Sequence, residues 1–178
     1  MRLVVADTTP LNYLVLIHHV EMLSALFEKV FVPEPVCAEL RHAEAPVAVR
    51  QWITRPPPWI EIVVTADEID DPALERLDDG ERAAIQVAVR LGAELILMDD
   101  RDGVAAARSK GFAVTGTLGI LDLAARRDLI RLDEALERLK ATSFQVPSGD
   151  HGRAACQPLS RAQGWPIKAR SVLPAART

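Results

Sequence analysis

Two short runs of the chain carry almost no polar position: LVVA at 3–6, and ELILM at 94–98, entered through a single acid. A strand with one wet face alternates, so an unbroken apolar run predicts a strand covered on both sides. KVFV (29–32), stopped by Pro33, and IEIVV (60–64) predict two more strands, and 112–114 a fifth. Between them the apolar positions move to helical spacing. Pro10 opens a helix with Leu11, Leu14, Val15 and Val20 on one stripe. Further helices are predicted over about 20–28, 35–42, 46–54, 103–110, 117–128 and 133–142. Asp78-Asp79-Gly80 caps a helix from Glu81 to Leu91, and Gly92 ends it. Alternating strands and helices predict a three-layer α/β/α sandwich around a central, mostly parallel sheet of four to five strands.

Neither period continues past Val146. Residues 147–178 hold four of the twelve prolines and five Lys/Arg against one Asp, whereas residues 1–146 hold 16 Lys/Arg against 24 Asp/Glu. The split predicts an acidic folded unit over 1–146 and a basic, poorly ordered tail over 147–178. A chain of 178 residues is long enough for one domain with a real core. Two cysteines make no disulfide framework, so a reduced, cytoplasmic setting is the expectation. The apolar start is broken by Asp7 and Pro10, too early for a signal peptide or a membrane span. An aromatic content of 4% argues against stacking platforms for single strands, and a net charge of −4 against a simple basic nucleic-acid module. There is no glycine-rich phosphate loop.

The informative residues are acids that break the pattern. Asp7 follows LVVA directly, and Asp99-Asp100 follow ELILM directly. Open parallel sheets bind ligands beyond the carboxyl ends of their central strands, so these acids meet if the two strands are neighbours. Glu81 has Ala84, Ile85 and Ala88 at +3, +4 and +7, which turns its carboxylate along the core-facing stripe. Glu39 shares a stripe with Val36 and sits at the apolar boundary. Each acid alone is ambiguous: Asp7 also suits a helix cap, Glu81 a helix dipole, and Asp102 caps the helix that follows. Together, with no Lys or His beside them, they repel one another. A divalent cation relieves that repulsion, and all-oxygen ligands favour Mg²⁺ or Mn²⁺ over Zn²⁺.

The segments VVADTTPLNYL, PEPVCAEL, LDDGERAAIQVAVRLGAELILMDDRDG and VTGTLGILDLA resemble, in order and spacing over about residues 2–145, the PIN-domain nucleases, and most nearly VapC-like toxins of toxin–antitoxin modules. The resemblance implies catalytic and metal-ligating roles for Asp7, Glu39, Glu81 (a glutamate where many relatives have aspartate) and Asp100, with Asp99 beside it. It implies a role for Thr8 or Thr9 in placing the scissile phosphate or a water. The implied activity is an endoribonuclease using Mg²⁺ or Mn²⁺ to activate water, leaving a 5′-phosphate and a 3′-hydroxyl. The implied partners are RNA, a small antitoxin protein and, since such toxins usually pair, a second copy. Relatives tend to finish with a short amphipathic end, so the tail departs from the pattern.

Around that core several positions stay open. Arg101 either contacts phosphate or faces solvent, and Thr115 and Thr117 either contact RNA or cap the next helix. Trp52 and Trp59 flank the proline run 56–58 and either pack it or cover a partner surface. A rival reading is a catalytically silent relative whose acidic pocket receives a basic partner segment. A phosphatase with Asp7 as nucleophile needs a second aspartate where Thr9 stands, and is rejected. His18, His19, His42 and His151 have no ligand spacing, and Cys37 reads as a small core residue.

Overall fold

The computed structural model describes residues 3–64 and 71–144. Five strands, β1 (Val4–Ala6), β2 (Val30–Pro33), β3 (Ile60–Val63), β4 (Leu95–Leu97) and β5 (Ala113–Thr115), form one sheet in the order β3-β2-β1-β4-β5. All four pairings are parallel, with Val4 opposite both Val30 and Leu95. The helices are α1 (Thr8–Leu16), α2 (Met22–Leu26), α3 (Glu34–Arg41), α4 (Val47–Thr54), α5 (Asp79–Leu91), α6 (Arg101–Ser109), α7 (Thr117–Arg126) and α8 (Leu132–Lys140). The expected three-layer sandwich is present, with five strands and every pairing parallel.

The apolar runs lack a polar face because each face meets its own layer of helices. Val4, Ala6, Val30, Val32, Leu95 and Leu97 join one core with the apolar stripes of α1 to α4, α7 and α8. Their neighbours Val5, Phe31, Ile96 and Met98 join a second core with Ala84, Ile85 and Ala88 of α5 and Ala107 of α6. Period-two side-chain alternation thus deals each strand between two cores.

The strand order also singles out one edge of the sheet. From β1 the chain builds outward through β2 to β3, then returns to the other side of β1 with β4 and β5. The order therefore reverses between β1 and β4, and open parallel sheets take their ligands beyond the carboxyl ends at such a reversal.

Several boundaries differ from the pattern reading. α1 starts at Thr8, ahead of Pro10, because a proline in the first turn lacks only an N–H that has no helical acceptor there. α1 ends at Leu16, and His18 takes φ 59°, so Val20 is buried in the following turn and not on the stripe of α1. Pro33 belongs to β2 as its last residue and caps α3 with extended backbone. α6 starts at Arg101, so Asp100, not Asp102, caps it: the Asp100 side chain accepts from the Asp102 amide at 2.8 Å. A short 3-10 turn at Pro72–Leu74 has no signature in the periodicity because three residues cannot show one. The expected boundary at Val146, the tail 147–178, His151 and Cys156 lie outside the described residues. No described helix is long and apolar enough to cross a membrane.

Candidate active site

Parallel pairing of β1 with β4 brings the expected acids to one edge. The Asp7 amide donates to the Leu97 carbonyl at 2.9 Å, which extends the ladder one residue past β1. Asp7 is 3% exposed and caps α1 with extended backbone. Its carboxyl is pushed up from 3.8 to about 7, mainly by burial, with Asp78, Glu39 and Asp99 adding negative charge and the Thr8 amide partly offsetting them.

Glu39, half-buried on α3, has both carboxylate oxygens engaged by the first turns of two other helices. Oε1 accepts from the Gly80 amide of α5 at 3.0 Å, and Oε2 accepts from the Thr8 hydroxyl of α1. Burial still holds its carboxyl above the ordinary range.

Glu81 is 5% exposed, as its place on the core stripe predicts. It forms a reciprocal cap with Asp78: the Glu81 amide donates to Asp78 Oδ1 at 2.8 Å, and the Asp78 amide donates to Glu81 Oε2 at 3.3 Å. Glu81 Oε1 is buried and accepts from no donor, and the Glu81 carboxyl lies within hydrogen-bond reach of the Asp100 carboxyl. Burial, followed by Asp78 and then Asp100, pushes this carboxyl up to about 8.

After β4 the two adjacent aspartates diverge in role. Asp99 accepts from Thr117 twice, amide to Oδ1 at 2.9 Å and hydroxyl to Oδ2 at 2.5 Å, and burial raises its carboxyl. Asp100 is exposed, caps α6 and lies beside Glu81.

Each carboxylate therefore stands at a helix N-terminus: Asp7 and Glu39 at α1, Glu39 and Glu81 at α5, Asp100 at α6, Asp99 at α7. Unpaired amides and the positive end of the helix dipole are the ordinary seat of an anion. They provide part of the relief that the charge pattern demanded.

The other expected residues are distributed around this edge. Thr8 holds Glu39, whereas none of the acids' described hydrogen bonds comes from Thr9. Thr117 caps through Asp99, and Thr115 is 2% exposed with its hydroxyl unpartnered. Arg101 is exposed at the start of α6. Cys37 is fully buried. Trp52 and Trp59 stand 6.3 Å apart, and Trp59 donates to Glu21 at 3.2 Å.

Asp78 belongs to the charge cluster although the sequence reading gave it only a capping role. The spacing Asp78-x-x-Glu81 is the one signal that ties it to Glu81 in advance. Gly80 enters the sequence pattern only as part of the cap before Glu81, and nothing in the pattern ties Gly80, Gly103 or Gly116 to the acids that each lies against.

The chemistry of the donor set fits a hard divalent cation. It is all oxygen, it holds a buried oxygen that accepts from no donor, and its acids resist ionisation when no positive charge is near. Among the described residues, no three such side chains already converge as a cation cage.

Comparison with protein families matches residues 3–154 to the PIN domain family DUF3368. Neither a search of curated proteins nor one of solved structures returns a match.

Proposed function

The chain belongs to the PIN-domain family, and from that premise we propose that it is a metal-dependent endoribonuclease acting as the toxin of a toxin–antitoxin module. The observation that carries the reading is the cluster of Asp7, Glu39, Glu81, Asp99 and Asp100 beyond β1 and β4, with Glu81 Oε1 buried and accepting from no donor. In this reading Asp7, Glu39, Glu81 and Asp100, with Asp99 beside it, hold Mg²⁺ or Mn²⁺. When bound, such an ion supplies positive charge for deprotonating water and for the departing oxygen of a phosphodiester.

The chain's own residues do the rest. Asp7 and Glu81 give up the protons that burial lets them keep, so cation binding and proton release are coupled. Thr8 fixes the Glu39 carboxylate, and Thr117 fixes that of Asp99. Thr9 and Arg101 are the groups assigned to the phosphate backbone of RNA, whereas the Thr115 hydroxyl is buried away from it. The folded unit of this enzyme spans residues 1–146 and the basic segment 147–178 follows it. The partners are RNA, a small antitoxin and a second copy of the chain, in the cytoplasm.

One observation favours a second reading. No cation cage is already formed among the described residues, which suits a silent domain whose acidic pocket takes a basic segment of a partner. A cleavage assay separates the two. The nuclease reading expects RNA cleavage with Mn²⁺ that EDTA and Asp7→Asn each abolish. Undiminished cleavage by Asp7→Asn sinks the assignment. Growth arrest on expression, relieved by co-expressing the small protein encoded beside it, tests the toxin role.

A further inference from the structure

Five glycines of the described chain serve two different purposes. Gly92 and Gly111 hold φ of 62° and 88°, and a Cβ at either would meet nothing within 4 Å. They serve backbone conformation. At Gly80, Gly103 and Gly116 the backbone is ordinary and an acid stands in the way, alone at 80 and together with Met98 at 103 and 116. A Cβ at position 80 would stand 2.6 Å from Glu39 Oε1 and 2.8 Å from Oε2. One at 103 would stand 2.8 Å from Glu81 Oε1 and 2.5 Å from Met98 Sδ. One at 116 would collide with Asp99 Oδ1 and lie 3.1 Å from its Cγ.

Gly80 and Gly103 lie inside the first turns of α5 and α6, where alanine is the better helix former. Helix formation therefore does not explain glycine at either place. Contact does. The three nearest atoms at position 80 all belong to the Glu39 carboxyl group, which also accepts from the Gly80 amide at 3.0 Å. A Cβ at 103 would press first on Met98 Sδ and then on Glu81 Oε1, which accepts from no donor. We propose that Gly80, Gly103 and Gly116 are positioning residues: their bare backbone seats Glu39, Glu81 and Asp99 and so sets the spacing of the acid cluster.

The obstruction at position 80 is the end of a flexible side chain, so Gly80→Ala displaces the Glu39 carboxylate and leaves α5 standing. Its effect on stability then depends on Glu39. In a Glu39→Ala background only the helix preference remains, and Gly80→Ala raises Tm by about 2–4 °C. In the wild-type background the same change leaves Tm unaltered or lowers it, because the bonds to the Gly80 amide and the Thr8 hydroxyl are lost. Equal shifts in the two backgrounds overturn the proposal.

A second arm reads the cation and rests on the nuclease reading of these acids. Calorimetric titration of the full chain with Mn²⁺ is expected to show binding weakened on the order of tenfold or more by Gly80→Ala. Glu39→Asp withdraws the carboxylate from position 80, so adding Gly80→Ala to it causes little further loss. Wild-type affinity in Gly80→Ala, or losses that multiply in the double variant, overturns the proposal. If the wild-type chain binds no Mn²⁺, the nuclease reading fails and the melting cycle alone decides the seating.

Discussion

Thr117 holds both carboxylate oxygens of Asp99, its amide on Oδ1 at 2.9 Å and its hydroxyl on Oδ2 at 2.5 Å. The bond joins the end of β4 to the start of α7 and orients an acid that faces Asp7. Asp100, the next residue, turns outward to cap α6. Adjacent residues of the chain thus supply one carboxylate held against α7 and one exposed at the start of α6.

Thr117→Val keeps the shape and removes the hydroxyl donor from a buried carboxylate. A hydrogen bond to a charged group contributes about 1.5–3 kcal/mol, so a loss of this size is expected in urea unfolding. Thr117→Ser, which keeps the donor, is expected to recover most of it.

The raised carboxyls set the pH dependence of the cation-free protein. Asp7 moves from 3.8 to about 7 and Glu81 from 4.5 to about 8, so the native state binds more protons than the unfolded chain between about 4 and 8. Their contribution is fully present below pH 4 and is lost as pH rises through 7 and 8. In EDTA, Tm is expected to fall over that window. Glu81→Gln at pH 8 is expected to melt several degrees higher than wild type, since about 1 kcal/mol moves a domain of this size by about 2–4 °C. A Tm in EDTA that rises from pH 5 to pH 8 contradicts the assignment of burial as the dominant effect.

Cation binding near pH 7 is expected to release protons, because ligand carboxylates must ionise. Mn²⁺ titrations in buffers of different ionisation enthalpy measure the number released. The release is expected to fall towards zero by pH 9, above the raised carboxyls of Asp7 and Glu81.

Asp78 acts on Glu81 through charge as well as through the cap. Asp78→Asn keeps a side-chain oxygen for the Glu81 amide and removes the charge, so the Glu81 carboxyl is expected to titrate lower by NMR, with little change in Tm below pH 4, where Glu81 is protonated folded and unfolded. Asp78→Ala removes both and is expected to cost about 1 kcal/mol of stability as well. An unmoved Glu81 titration in Asp78→Asn would show that the two carboxyls do not interact.

The sequence by itself determined the layers and the acids. Unbroken apolar runs at Val4–Ala6 and Leu95–Leu97 required cover on both faces, and helical stripes between them supplied it. Acids directly after those runs, and Glu81 on a core stripe, were visible because burying a charge contradicts the surrounding pattern. Local spacing could not reveal what depends on approach between distant segments. The pairing of β1 with β4 decided that Asp7 and Asp99 meet. The distance from α3 to the start of α5 decided that Glu39 needs a bare backbone at Gly80. Asp100 became the cap of α6, and Asp99 the acid fixed by Thr117, because a strand end sends successive side chains in different directions. Patterning settles which residues are buried; only tertiary contact settles which atoms they are buried against.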